Sequence, residues 1–274
     1  MLQLRDAVVA GAFYPGDKIS LENQINKFLE KVPINENNND ILGIISPHAG
    51  YVYSGQTAAF GFKTIENKDF DLAVIIAPSH RVGGFDYSIG NFQYYETPLG
   101  NITVSSHYVE QLLEQPGFDF ILEAHTSEHS LEVQLPFLKM IKPDSQIVPI
   151  VLGNQNGENS LRLSNVLYEM FKDRIANTIF IISSDLSHYH NLDSAKEMDH
   201  NLAEYVRQNL PEKLEQNVRL RKIEACGFGG ILVLMYLAEL LNYRKIVNLK
   251  YSTSGEINND YSQVVGYLSS IFMK

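Results

Sequence analysis

The chain carries a single cysteine, Cys226, in 274 residues. One thiol excludes an intrachain disulfide framework and suits a reducing compartment. Basic residues are also scarce, with 22 Lys and Arg against 32 Asp and Glu for a net charge of −10. With no basic run, a dedicated nucleic-acid or anionic-membrane surface is not expected. Long apolar runs are missing too: the stretch from Cys226 to Ala238 has 13 residues, short of the roughly 20 that a membrane-spanning helix needs. Met1-Leu2-Gln3-Leu4-Arg5-Asp6 lacks the basic-then-apolar order of a secretory signal. These absences predict a soluble cytoplasmic protein. There is no Gly-x-Ser-x-Gly elbow and no Walker-type loop, which argues against a serine hydrolase or a P-loop enzyme. No Gly, Ser or Pro-rich linker and no solenoid-length repeat interrupts the chain. One domain over residues 1–274 is therefore expected.

What is present is a core-forming composition, 45% hydrophobic and 20% charged. Ile41–Ile45, Leu72–Ala77 and Thr178–Ile182 are short, continuous and rich in β-branched residues, as buried parallel strands are. Ile147–Leu152 has the same character, and Ile246–Tyr251 and Val264–Ile271 are further strand candidates. Helical stripes run through Leu21, Ile25, Phe28, Leu29 and Val32 after the cap residue Asp17, and through Ser160–Phe171, Ser194–Leu210 and Gly229–Leu241. This alternation predicts an α/β fold of three layers, α/β/α, around a mostly parallel sheet. Tyr87–Phe92 and Ile102–Val104 read as an added antiparallel excursion, and Asn35 to Asp40 as a polar loop.

Three of the predicted strands end alike. The first runs into Ser46-Pro47-His48-Ala49-Gly50, the second into Pro78-Ser79-His80, and the third into Ser183-Ser184-Asp185-Leu186-Ser187-His188. Carboxyl ends of parallel strands face one crevice, so these three histidines can converge on a metal or acid–base site. Taken singly, a histidine is more often a loop or core residue; three at matching strand ends shift that balance. His107, His125, His190 and His200 lack such placement and read as surface or structural residues. Cys226 directly precedes an apolar helix, where unpaired N–H groups favour a thiolate, although a lone cysteine is more often a small core hydrophobe. In Glu128-His129-Ser130-Leu131-Glu132, helical spacing would turn Glu128 and His129 about 100° apart. His129 then reads as an acid–base or hydrogen-bonding residue, and Glu128 and Glu132 as a solvated helix face. Asp185 either caps the segment that follows it or orients a catalytic imidazole.

Taken in order, Arg5, Ala10-Gly11-Ala12-Phe13-Tyr14-Pro15, Ser46–Gly55, Pro78-Ser79-His80, Glu128–Glu132, Ser183–His188 and Cys226-Gly227 resemble the MEMO family over nearly the whole chain. That family is similar in fold to LigB-type, class III extradiol dioxygenases, which hold non-haem Fe(II) with two histidines and a carboxylate. The resemblance implies His48, His80 and Cys226 as metal ligands. It implies His188 as a further ligand or the catalytic base, with His129 and Asp185 as catalytic support. The cysteine stands where the dioxygenases have a carboxylate, and a thiolate also favours copper or zinc. The implied cofactor is therefore a metal ion, iron or copper first and zinc third. The implied activity is that of a redox metalloenzyme acting on a small molecule. AMMECR-type and radical-SAM proteins are the partners that the resemblance implies. Two other readings compete: a non-catalytic metal- or peptide-binding protein on the same scaffold, with Tyr51, Tyr53, Phe85, Tyr87 and Phe228 near its recognition surface, and a metal-assisted hydrolase.

Overall fold

A computed structural model of the chain describes residues 1–33 and 40–274; of the polar loop expected at Asn35 to Asp40, residues 35–39 lie outside that range. The strands are β1 (Leu2–Arg5), β2 (Ile41–Ser46), β3 (Leu72–Pro78), β4 (Tyr87–Ile89), β5 (Phe92–Tyr95), β6 (Ile102–Thr103), β7 (Phe118–Asp119), β8 (Gln146–Leu152), β9 (Thr178–Ser183), β10 (His188–His190), β11 (Lys245–Thr253) and β12 (Val264–Met273). Among the described residues, nine of these form one sheet in the order β10-β12-β2-β9-β3-β8-β4-β7, with β11 also paired to β12. At its centre β2, β9, β3 and β8 run parallel. Every residue of β2, β3 and β9 is buried, which is why their sequences are continuously apolar instead of alternating.

The flanks depart from the expected pattern. β12 runs antiparallel to both β2 and β11, and β4 runs antiparallel to β8. The excursion expected at Tyr87–Phe92 and Ile102–Val104 is split: β4 joins the large sheet, while β5 pairs in parallel with β1 and antiparallel with β6 in a separate small sheet. Leu2–Arg5, four residues with three exposed, carries too little alternation to be read as a strand beforehand.

The helices are α1 (Lys18–Glu30), α2 (Tyr51–Ile65), α3 (Ser106–Leu113), α4 (Glu123–Thr126), α5 (Leu135–Ile141), α6 (Gly157–Phe171), α7 (Leu192–Arg207), α8 (Pro211–Arg219), α9 (Phe228–Leu240) and α10 (Gly255–Asn258). Asp17 caps α1 by accepting a hydrogen bond from the Ser20 N–H at 2.9 Å, as its residue type predicts. The stripe expected at Ser194–Leu210 ends early: the helix closes at Arg207, Asn209 takes a left-handed φ of 50°, and Pro211 opens α8. Pro tolerates the first turn of a helix but not its interior.

Two neighbouring residues of β2 define the layers. A Cβ on Gly43 would stand 2.9 Å from Leu234 of α9, whereas Ile44 lies against Gly61 of α2. Successive strand residues face opposite sides, so α9 and α2 cover opposite faces of the sheet. α1 and α5 pack outside α2, and α6 and α8 outside α9. The molecule is an α/β structure with a large central sheet between helical layers. Its strand order sets β9 between β2 and β3, so the carboxyl ends that carry His48, Asp185 and His80 are neighbours.

Candidate metal centre

His48 and His80 leave the ends of β2 and β3, and His129 comes from the connection between α4 and a 3-10 turn at Glu132–Gln134. One ring nitrogen from each lies within 4.8 Å of the others. The rings of His80 and His129 stack with centroids 4.7 Å apart, and His48 meets both edge-on at 5.2 and 5.5 Å. His48 is buried, while the His80 and His129 side chains retain 31% and 20% of their exposure. The cluster is therefore walled by protein on one side and reachable from the other.

Two imidazoles are held through Nδ1. His48 Nδ1 lies 2.8 Å from Ser183 Oγ. That hydroxyl donates to the Ser130 carbonyl at 2.6 Å and accepts from Gln134 Nε2 at 2.8 Å. Since its proton is committed, His48 Nδ1 must donate, leaving Nε2 with a free lone pair. Gln134 is itself oriented by donating to the Pro47 carbonyl at 3.0 Å. His80 Nδ1 lies 2.9 Å from Glu128 Oε1. Glu128 also accepts the backbone N–H of His80 at 2.6 Å and of Ser130 at 2.9 Å, and stands 3.3 Å from His129 Nδ1.

Burial works against the Glu128 charge, yet these hydrogen bonds, chiefly those from His80, outweigh it and bring the carboxyl down to about 2. It is thus a carboxylate at neutral pH and a pure acceptor. Burial also lowers the pKa of His48, helped by the nearby His80 and His129, and lowers that of His129. Both are neutral imidazoles near pH 7, which is the form that ligates a metal.

Asp185 and Cys226 adjoin the cluster. Cys226 Sγ is 3.2 Å from His48 Nε2 and accepts the Asp185 backbone N–H at 3.2 Å. Asp185 Oδ1 accepts the His48 backbone N–H at 2.8 Å, and Oδ2 lies 4.0 Å from His48 Nε2. Asp185 therefore fixes the turn that carries His48 and does not cap a following helix. Burial raises its pKa, against the pull of the His48 N–H. Burial, reinforced by Asp185, pushes the Cys226 thiol well up. Desolvation and the neighbouring acid thus act against the thiolate that a position before α9 favours.

His188 is not one of the three clustered imidazoles, although it lies near enough to act electrostatically on His48 and Asp185. It opens β10 instead of lying in a loop, and its ring packs on Tyr189 at 5.8 Å. It shares with Cys226 a cavity of about 270 Å³ that Leu186, Ile223 and Phe228 also line.

The expectation for Glu128 and Glu132 is overturned. Both are buried, because α4 ends at Thr126 and helical spacing does not extend across residues 127–131. Glu132 pairs with Arg5, accepts the backbone N–H groups of Val8 and Val9 at 3.0 and 2.9 Å, and accepts from Tyr14 Oη at 2.6 Å. Arg5 also donates to the carbonyls of His125 and Glu128 at 3.0 and 2.5 Å. His125 is structural as expected, buried between Ser88 and Tyr95 hydroxyls at 3.0 Å each. The sequence reading missed the roles of Glu128, Ser183 and Gln134; a carboxylate directly before a histidine was the available signal. Of the aromatics proposed for a recognition surface, Tyr51, Phe85 and Tyr87 are core residues.

An α/β scaffold that gathers three oriented imidazoles at adjacent strand ends defines a protein with a site able to hold a metal ion. The family described as "Memo-like protein" matches residues 5–271, and the chain belongs to that family. Relatives named "MEMO1 family protein" include one from Nitrosopumilus maritimus, 37% identical over 96% of this chain and 98% of its own length. Another, from Thermotoga neapolitana, is 36% identical over 98% and 99%, and one from Methanosarcina mazei is 33% identical over 98% and 99%. Among solved structures, an uncharacterized protein from Escherichia coli K12 covers 85% of this chain and 100% of its own, with 13% identity and a TM-score of 0.49.

Proposed function

We propose that this MEMO-family protein binds a redox-active metal, iron or copper, at His48, His80 and His129, and that it acts as an oxidoreductase on a small molecule. The observation that carries the reading is the trio of imidazoles, two of them with Nδ1 committed to Ser183 and Glu128. The donor set fits such an ion, since neutral imidazole suits both metals and the adjoining sulfur of Cys226 suits copper in particular. A bound ion would supply electron transfer and a site for substrate or O₂.

The protein's residues have separable tasks in this reading. Glu128 and Ser183 hold the ligand rings. Cys226 joins the ligand set only by losing its proton, because burial keeps the thiol neutral. His188, beside Cys226 in the cavity, would accept a proton from a bound hydroxyl group in this reading. The MEMO resemblance, through the fold similarity of that family to LigB-type dioxygenases, supports His48 and His80 as ligands and His188 as the base.

Elemental analysis of anaerobically purified protein tests it. Near-stoichiometric iron or copper is expected, lost in His48→Ala, His80→Ala and His129→Ala, together with metal-dependent O₂ uptake on a phenol or reductant panel. Full metal content in the triple variant would overturn the assignment. Metal retention without any turnover would favour a binding role instead.

A further inference from the structure

Of the four parallel strands, β2 and β3 lead into His48 and His80, and β9 leads into Asp185. The fourth, β8, reaches the same place through Gln155, in the connection to α6. Gln155 Nε2 donates to the Cys226 carbonyl at 2.7 Å, and its Oε1 accepts the Gly229 N–H at 2.8 Å. One planar amide makes both bonds, so its donor and acceptor ends are assigned by their partners. The fit is close: a Cβ on Gly229 would stand 3.0 Å from the Gln155 side chain, and glycine is what lets the amide lie on this turn.

The other restraints on Cys226 act at its amide and its sulfur. Its N–H bonds to the Asp185 carbonyl at 3.2 Å, while Sγ accepts the Asp185 N–H and faces His48 Nε2, each at 3.2 Å. Just downstream, the Gly227 N–H bonds to Ser184 Oγ at 2.9 Å, and the Gly229 carbonyl accepts from Ser160 Oγ at 3.0 Å. The carbonyl of Cys226 is held by Gln155. That peptide plane is joined directly to the Cα that bears the thiol, so tilting it moves the sulfur.

We infer that Gln155 is a positioning residue: through the Cys226 carbonyl it sets where the Cys226 thiol stands against His48 and Asp185. Metal–ligand distances tolerate only about 0.2 Å, so a sulfur on an untethered peptide plane makes a poor ligand. The consequence for a bound ion rests on the metal-centre reading; the placing of the thiol does not.

The test compares wild type with Gln155→Glu, Gln155→Leu and Ser160→Ala. Glutamate keeps an acceptor for the Gly229 N–H at the start of α9, where negative charge is favoured, but offers no proton to the Cys226 carbonyl. Ser160→Ala loosens the same helical turn without touching Cys226. In metal-free protein, alkylation of Cys226 by N-ethylmaleimide, followed by mass spectrometry, should run about tenfold faster in both Gln155 variants, the change in local opening expected for one lost buried hydrogen bond. Ser160→Ala should react at the wild-type rate, and Gln155→Glu should keep the wild-type melting temperature. In cobalt(II)-loaded protein, the sulfur-to-cobalt charge-transfer band should weaken in both Gln155 variants at unchanged cobalt content and vanish in Cys226→Ser. Cobalt uptake by wild type without that band would strike Cys226 from the ligand set, while separated alkylation rates would still support the placing of the thiol by Gln155. The proposal is overturned by a wild-type alkylation rate in Gln155→Glu, by equal acceleration in Ser160→Ala, or by a cobalt band undiminished in both Gln155 variants.

Discussion

At the scale of single residues, the centre depends on groups that never reach an ion. Glu128 orients His80 through one oxygen while its two oxygens together tie down the backbone of His80 and Ser130. Glu128→Gln keeps the shape but offers an amide where a carboxylate received protons. Metal affinity is expected to fall by about 10- to 100-fold, the range for losing a partner of a ligating histidine, as measured by chelator competition. Ser183→Ala strands the His48 Nδ1 proton in the interior. Its unfolding free energy in urea should drop by about 1–3 kcal/mol, the cost of an unsatisfied buried donor. Residue identity alone made His48 and His80 legible, because each follows a strand end. His129 was legible as chemistry but not as geometry, and Glu128 was read as a solvated face: adjacent residues diverge on a helix, and only the non-helical turn at residues 127–131 lets both face the same place.

Between elements, two contacts set the site. Arg5 and Glu132 form a buried pair, with side chains 2% and 0% exposed, that fastens the segment after β1 to the turn bearing His129. Glu132→Ala leaves a buried guanidinium without its partner and should cost about 3–5 kcal/mol. The double change Arg5→Met, Glu132→Leu should recover much of that stability in chemical denaturation, but not metal affinity, because the tie to the Glu128 carbonyl is gone. Gly227 is the second contact. Its position against the Ser183 carbonyl and the Ser184 side chain leaves no room for a Cβ. Gly227→Ala should therefore lift the start of α9 and cost about 1–3 kcal/mol, as overpacking does, with altered reactivity of Cys226 as a second readout. The parallel centre of the sheet could be read from β-branched runs. The small β1-β5-β6 sheet could not, since a two-residue strand such as β6 has no periodicity to detect.

For the molecule as a whole, buried imidazole sets the response to acid. Burial, with Arg5 adding to it, lowers His125 to about 3 from an ordinary 6.5. The folded state thus keeps it neutral while the unfolded chain takes up a proton below pH 6.5. The stability that this preference provides is complete above pH 6.5 and is lost as the pH falls toward 3, by up to about 1.4 kcal/mol per pH unit for one such group. Glu128, held at about 2 against an ordinary 4.5, adds a loss of the same sign below pH 4.5. Urea midpoints should fall steadily between pH 6.5 and 4, and His125→Gln should flatten that slope. A wild-type midpoint unchanged over this range would contradict the buried, neutral assignment.

β12 has a temporal consequence. Residues 264–273 pair with β2 along one edge and with β11 and β10 along the other, Val265 lying opposite His188. During translation this strand leaves the ribosome after every other strand of the sheet. Until it does, β10 lacks its partner strand, and a nascent chain can display His48, His80 and His129 well before His188 has a fixed place. The pocket can therefore be completed only once β12 has been made.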